Sequence, residues 1–205
     1  MRADTHVIVF AKAPVAGAVK TRMIPTLSAT QAAQLAQHLL DDALTRITAA
    51  GARSIELCCT PSTAHPALRT AAQRFGAELS TQRGEDLGAR MAEALQHALA
   101  THPRALLIGT DSPTLDAQVL NAADIALDDT HDAVFVPALD GGYVLVGANQ
   151  IDARVFSGIT WSSEHVMTQT RAQLQALGWR WKELPAVPDV DRPDDLVLVP
   201  RAWYA

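Results

Sequence analysis

The chain predicts an α/β fold, a three-layer sandwich with a mainly parallel central sheet. Three observations carry this. Short, β-branched apolar runs alternate with longer stretches whose apolar residues recur at helical spacing. The short runs are continuous rather than alternating, as expected of strands buried on both faces. No internal repeat, linker or low-complexity tract interrupts the alternation along the 205 residues, which suit one domain, residues 1–205, with room for a sizeable core. Strand–helix alternation of this kind implies parallel pairing with helices on both faces.

The first strand is His6-Val7-Ile8-Val9-Phe10-Ala11. Lys12 to Leu27 then reads as a long loop. Ser28 or Thr30 can cap a helix whose stripe is Ala36, Leu40, Leu44 and Ile47, with Leu35 and Leu39 beside it, and Gly51 stands at its end. Ser54 to Thr60 reads as a strand, Ala64 to Phe75 as a helix ended by Gly76, and Glu78 to Ser80 as a short extended piece. Asp86 to Ala100 is a second long helix. Ala105 to Gly109 is a buried strand, followed by a helix from about Asp116 to Leu127 and a strand from Ala133 to Pro137. Asp140-Gly141-Gly142 turns the chain into a strand from Tyr143 to Val146. A helix from about Ser163 to Leu177 and a strand around Trp181 to Leu184 close the pattern.

Composition narrows the function. The net charge of −5 gives no support for nucleic-acid binding, which usually needs a basic face. Cys58 and Cys59 are adjacent in one strand and point to opposite faces, so they cannot bridge each other; two cysteines are also too few for a zinc cluster. No apolar run reaches the ~18 residues that span a bilayer. Met1 to Phe10 does not read as a signal peptide, so a cytoplasmic location is the default expectation.

In open α/β sheets ligands bind outside the carboxyl ends of the strands. The segments after Phe10, Ile108 and Val136 are therefore expected to converge on one crevice. Ala11 to Arg22 carries the cations Lys12, Lys20 and Arg22 with Pro14, Gly17 and otherwise small side chains. Small residues let a ligand approach the backbone, and amides with Lys and Arg suit phosphate oxygens. The pattern is not a P-loop, and the plainer alternative is a solvated basic loop. Asp111 follows a buried strand, where a carboxylate can hold Mg²⁺ or Mn²⁺ together with phosphates; otherwise it caps the next helix, a role for which Asp116 is better placed. Asp140-Gly141-Gly142-Tyr143 is a strong hairpin signal in its own right, and a Gly-Gly turn also lets a sugar or phosphate lie against the backbone. Asp189 and Asp191 stand one residue apart on an extended segment and point the same way, toward a metal or toward the helix start at Pro193. Gly84 and Gly88 can admit a planar base and Arg83 a phosphate, or the segment is simply a helix N-terminus. The seven histidines show no metal or nucleophile spacing.

The ordered set Ala11-Lys12-Ala13-Pro14, Gly17, Val19-Lys20-Thr21-Arg22, Gly84, Leu87-Gly88, Arg90, Gly109 to Pro113, Pro137 to Tyr143, Gly147, Trp161-Ser162-Ser163, Val166 and Asp189-Val190-Asp191 resembles one family. It is the bacterial glycosyltransferase-A-like family of arsenosugar-biosynthesis-type glycosyltransferases, formerly a domain of unknown function, within the nucleotide-diphospho-sugar transferase superfamily. The resemblance runs from Val7 to Leu196. Met23, Ser28, Ser112 and Arg192 depart from the pattern, which has Leu, Gly, Cys and Thr there; Arg192 alters the charge beside Asp191.

The resemblance implies a nucleotide-diphospho-sugar transferase (GT-A-like) fold over the single domain. It implies nucleotide binding by Ala11, Lys12, Pro14, Gly17, Lys20, Arg22, Arg83, Gly84 and Gly88. It implies Mg²⁺ or Mn²⁺ on Asp111 and Asp191, and a sugar or acceptor against Gly141, Gly142, Tyr143 and Trp161. Lys20 and Asp140 are the expected catalytic residues, Lys20 on the leaving diphosphate and Asp140 on the acceptor hydroxyl. The expected activity is glycosyl transfer from a nucleoside-diphosphate sugar to a small acceptor, with no nucleic-acid partner and no membrane span. One alternative is nucleotidyl transfer, coupling a nucleoside triphosphate to a phosphorylated small molecule in the manner of a guanylyltransferase. Another is a nucleotide-binding regulator without turnover.

Overall fold

The structure is a computed structural model, and it describes residues 1–128 and 130–205. Strand β1, Thr5–Lys12, lies inside the sheet and is buried along most of its length. β1 pairs in parallel with β2, Ser54–Thr60, on one side and with β4, Arg104–Ile108, on the other. Val7 lies opposite Ile55 and Leu106, and Val9 opposite Leu57 and Ile108, so these side chains fill one face, while Ile8 opposite Leu107 faces the other. β3, Glu78–Thr81, extends the sheet beyond β2. On the far side lie β5, Ala133–Pro137, β6, Tyr143–Ala148, and β7, Trp181–Glu183. The seven-stranded order is β3-β2-β1-β4-β6-β5-β7.

β6 runs antiparallel to both neighbours, β4 and β5. The other pairings are parallel, which agrees with the mainly parallel sheet expected and makes it mixed. The Asp140-Gly141-Gly142 turn folds β5 back into β6, as the Asp-Gly signal required.

Helices cover both faces. α1, Ala29–Ala49, opens with a reciprocal capping box between Ser28 and Gln31. It buries Leu35, Leu39, Leu40, Leu44 and Ile47, each contributing ~1.5–3 kcal/mol on full burial. That exceeds any helix-propensity difference along the segment, so packing rather than propensity holds α1. α2, Pro66–Phe75, and α4, Ala117–Ala126, share this face and its core. α3, Leu87–Leu99, and α5, Val166–Ala176, cover the other face, packed around Ile8, Leu107, Phe135 and Val146. Cys58 and Cys59 are free and belong to these two opposite cores.

α5 starts at Val166, three residues after the Ser163 expected from the sequence. Ser162 takes a left-handed conformation at φ 62°, and the Ser163 hydroxyl donates back to the Thr160 carbonyl at 2.6 Å. Those residues make a turn that the helix then leaves. A third apolar cluster joins Met23, Leu27, Leu35, Leu39, Val190 and Val199. It ties the basic loop, the start of α1 and the C-terminal segment into one unit.

Candidate functional site

The chain leaves β1 toward β2 and β3 on one side, and toward β4 on the other. The carboxyl ends of β1 and β4 are therefore the topological switch point, where such sheets open a crevice. A cavity of about 320 Å³ lies there, lined by Phe10, Ala11 and Lys12 from β1, Lys20 and Arg22 from the basic loop, and Gly109 to Asp111 after β4. A second cavity of about 320 Å³ adjoins it. It shares Arg22, Asp111 and Asp191 with the first and adds Ser112, Asp140, Tyr143, Trp161 and Asp189. The three loops expected to converge do so.

Lys20 is central. Its backbone is left-handed at φ 49°, and its side chain is only 6% exposed. The ammonium meets Asp111 Oδ2 at 2.8 Å and donates to the Val190 carbonyl at 2.5 Å. The Val190 amide in turn donates to the Asp111 carbonyl at 2.8 Å. Three segments distant in sequence are thus tied at one buried cation. Arg22, exposed, pairs with Asp191, and that hydrogen bond first and the charge second hold its pKa above the ordinary value. Lys12 is exposed at the cavity's edge.

Asp111 does not cap α4. Asp116 does, accepting from the Gln118 and Val119 amides at 2.9 Å each. The Asp111 carboxylate is half-exposed and, among the described residues, receives only the Lys20 ammonium and the Thr110 hydroxyl. Asp140 accepts from the Gly142 amide at 2.9 Å, which fixes the turn and holds the carboxylate at the second cavity. The Asp189 carboxyl is pushed up to about 6, by burial first and then by the carboxylates of Asp140, Asp191 and Asp111. The negative charge gathered here is therefore not neutralised by Lys20 and Arg22 alone.

Such a surplus suits a divalent cation, but the described residues hold no group of three or more His, Cys, Asp or Glu arranged to bind one. Asp111 and Asp191 fit a cation that takes its remaining ligands from phosphates, the usual arrangement for Mg²⁺. They do not make a cage of protein ligands.

Several expected residues lie elsewhere. Arg83 lines a separate cavity with Glu56 and His97, beside β3 rather than at the switch point. Gly84, Gly88, Pro14 and Gly17 do not line the crevice either. Gly88 is where α3 meets its neighbours: a Cβ there would stand 2.7 Å from the Phe156 carbonyl oxygen and 2.7 Å from the Trp161 ring. It seats the indole instead of admitting a base. Gly141 has φ 94°, its carbonyl accepts from the Met167 amide, and a Cβ would strike the Glu164 backbone. It joins the hairpin to α5, while Gly142 and Tyr143 face the cavity. Thr60 and Gln82 line the first cavity and were missed. Both lie at the ends of β2 and β3, so the rule that located Asp111 points to them as well.

A family model described as "Uncharacterized protein conserved in bacteria (DUF2064)" matches residues 39–163. The chain belongs to that family. The DUF2064 match runs from α1 to the Trp161-Ser162-Ser163 turn, so it includes Asp111 and Asp140, whereas the basic loop and Asp191 lie outside it. No curated protein matches the chain. A protein from Desulfovibrio desulfuricans G20, provisionally named a nucleotide-diphospho-sugar transferase, superposes with a TM-score of 0.85 at 28% identity. The match covers 96% of this chain and 87% of that one. A nucleotidyl transferase from Methanothermobacter thermautotroptrophicus gives a TM-score of 0.63 at 11% identity, over 97% of each chain. Glucosyl-3-phosphoglycerate synthase from Mycobacterium tuberculosis, solved with Mn²⁺ and uridine diphosphate, gives 0.55 at 10% identity, over 95% of this chain and 75% of that one. This DUF2064 chain has the GT-A-like fold of nucleotide-diphospho-sugar transferases, which glycosyl and nucleotidyl transferases share. Among the described residues, no helix is long and apolar enough to cross a membrane.

Proposed function

We propose that residues 1–205 act as one transferase domain that moves a sugar from a nucleoside-diphosphate sugar to a small acceptor, with Mg²⁺ or Mn²⁺. The observation that supports this reading is the two-part crevice. Cations of the β1 loop line one cavity, carboxylates and two aromatic rings line the other, and Arg22, Asp111 and Asp191 stand between them.

In this reading the nucleotide lies over Ala11, Lys12, Thr60 and Gln82, with its diphosphate toward Lys12 and Arg22. Lys20 holds the Asp111 carboxylate in place and adds positive charge at the same end of the crevice. Asp111 and Asp191 would hold the cation, whose contribution there would be to offset negative charge on the leaving diphosphate. The acceptor hydroxyl oxygen bonds to the anomeric carbon as the bond from that carbon to the diphosphate oxygen breaks. The bonding pair leaves with the diphosphate, and the hydroxyl proton passes to the Asp140 carboxylate. Gly142, Tyr143 and Trp161 line the space where sugar and acceptor meet.

The test is the leaving group. Purified protein, Mg²⁺ or Mn²⁺, a panel of nucleotide sugars and a panel of small hydroxyl acceptors should release nucleoside diphosphate. Release of pyrophosphate from nucleoside triphosphates would establish nucleotidyl transfer instead. Metal-independent ligand binding with no turnover of any donor would identify a regulator.

A further inference from the structure

The second cavity has a chemistry of its own. Tyr143 and Trp161 meet edge to face, with ring centroids 6.4 Å apart at 82°, and Phe135 backs the tyrosine at 5.1 Å. Their apolar surface suits the C–H face of a ring or a carbon chain. One hydroxyl beside them has no hydrogen-bond partner among the described residues. Ser112, 3% exposed, lines the cavity and its Oγ is unbonded. A buried hydroxyl left without a partner is costly, so a ligand that bonds it gains what the empty protein forgoes.

The charges are one-sided. Asp140 and Asp189 line the cavity, and neither forms an ion pair among the described residues. Arg22 is the one cation in its lining among the described residues, and Asp191 engages it. The phosphate cations lie in the other half, with Lys20 committed to Asp111. A nucleoside diphosphate with one divalent cation would leave the crevice negative still. An acceptor phosphate or carboxylate placed here would meet two carboxylates and no uncommitted cation.

We infer that the acceptor half of this crevice is built for an uncharged, hydroxyl-bearing molecule with an apolar face, and that it rejects the phosphorylated or carboxylated counterpart. The inference rests on the glycosyl-transfer reading, and it names the acceptor class. It also counts against the nucleotidyl alternative, in which the attacking molecule carries a phosphate.

The experiment has two arms. In the first, thermal shift with Mg²⁺ and each of UDP, GDP, ADP, CDP and dTDP identifies a nucleotide that binds; failure of all five sinks the functional reading itself. In the second, protein saturated with that nucleotide and Mg²⁺ is titrated with matched pairs, methyl glucoside against glucose 6-phosphate and glycerol against glycerol 3-phosphate, followed by ligand-observed NMR. The neutral member of a pair should bind at least tenfold more tightly. Ser162→Lys, which places a cation at an exposed lining residue already in a left-handed conformation, should shrink that preference to threefold or less. Equal or tighter binding of the phosphorylated member by the unmodified protein would overturn the inference while leaving nucleotide binding intact. Binding of neither member would overturn it too.

Discussion

Lys20 and Arg22 are two residues apart in one loop, yet burial separates their roles. Lys20 is enclosed and satisfies both the Asp111 carboxylate and the Val190 carbonyl. Lys20→Ala leaves those two acceptors without their donor, so it should lower stability by ~1–3 kcal/mol in urea unfolding. Arg22 lies at the surface, where an ion pair contributes ~0–1 kcal/mol, so Arg22→Ala should leave the unfolding midpoint nearly unchanged. The same Arg22→Ala change should weaken nucleotide binding by ~1.5–3 kcal/mol, the scale of a charged hydrogen bond. Calorimetry showing unchanged affinity, or urea curves with the two variants reversed, would refute the division. From the sequence both residues read as phosphate cations, because residue type and loop position are visible there while burial is not. One of the acceptors of Lys20, the Val190 carbonyl, lies 170 residues further along the chain.

At the scale of elements, local signals read well and distant contacts did not. The Ser28–Gln31 capping box, the Asp116 cap and the Asp140-Gly141-Gly142 turn rest on neighbours within a few residues, so the sequence discloses them. Gly88 shows the opposite. Its neighbours Phe156 and Trp161 lie far along the chain, and without them a helix glycine suggests room for a ligand. Gly88→Ala should cost ~1–3 kcal/mol by overpacking, since the obstructing atoms are a backbone oxygen and an indole ring. A variant as stable as the parent would show that α3 gives way freely. The tie between α5 and β7 has a pH signature. Arg171 meets Glu183 at 2.7 Å, and this hydrogen bond holds the Glu183 carboxyl below its ordinary 4.5, with burial opposing. A lowered carboxylate contributes stability that is present above the unfolded value and is lost as pH falls through the folded one. Glu183→Gln should therefore be less stable than the parent at pH 7, and the difference should fade as pH drops below about 4.5. A gap that stays constant down to pH 3 would contradict the assignment.

At the scale of the molecule, the sheet's topology made the crevice legible before its contents were. Alternating strands and helices imply a switch point, and loops leaving β1, β4 and β5 must meet near it whatever their side chains. The antiparallel β6 between β4 and β5 was less visible, because the hairpin signal joins β5 to β6 but says nothing of β4. The third core matters most for the site. Met23 and Leu27 from the basic loop pack with Val190 between the two C-terminal aspartates, so the phosphate and metal sides of the crevice share one apolar anchor. A ligand that bridges those sides should stabilise the whole fold, by about 2.7 kcal/mol at a hundredfold excess over its Kd. For a chain of this size that corresponds to a rise in Tm of about 5–10 °C. Nucleoside diphosphate with Mg²⁺ should produce it, and chelation should remove much of it. Asp111→Asn keeps the side chain's size but not its charge, so it should still bind nucleotide weakly while losing the metal-dependent part of the rise. A Tm that responds to Mg²⁺ equally in Asp111→Asn and the parent would remove Asp111 from the metal site.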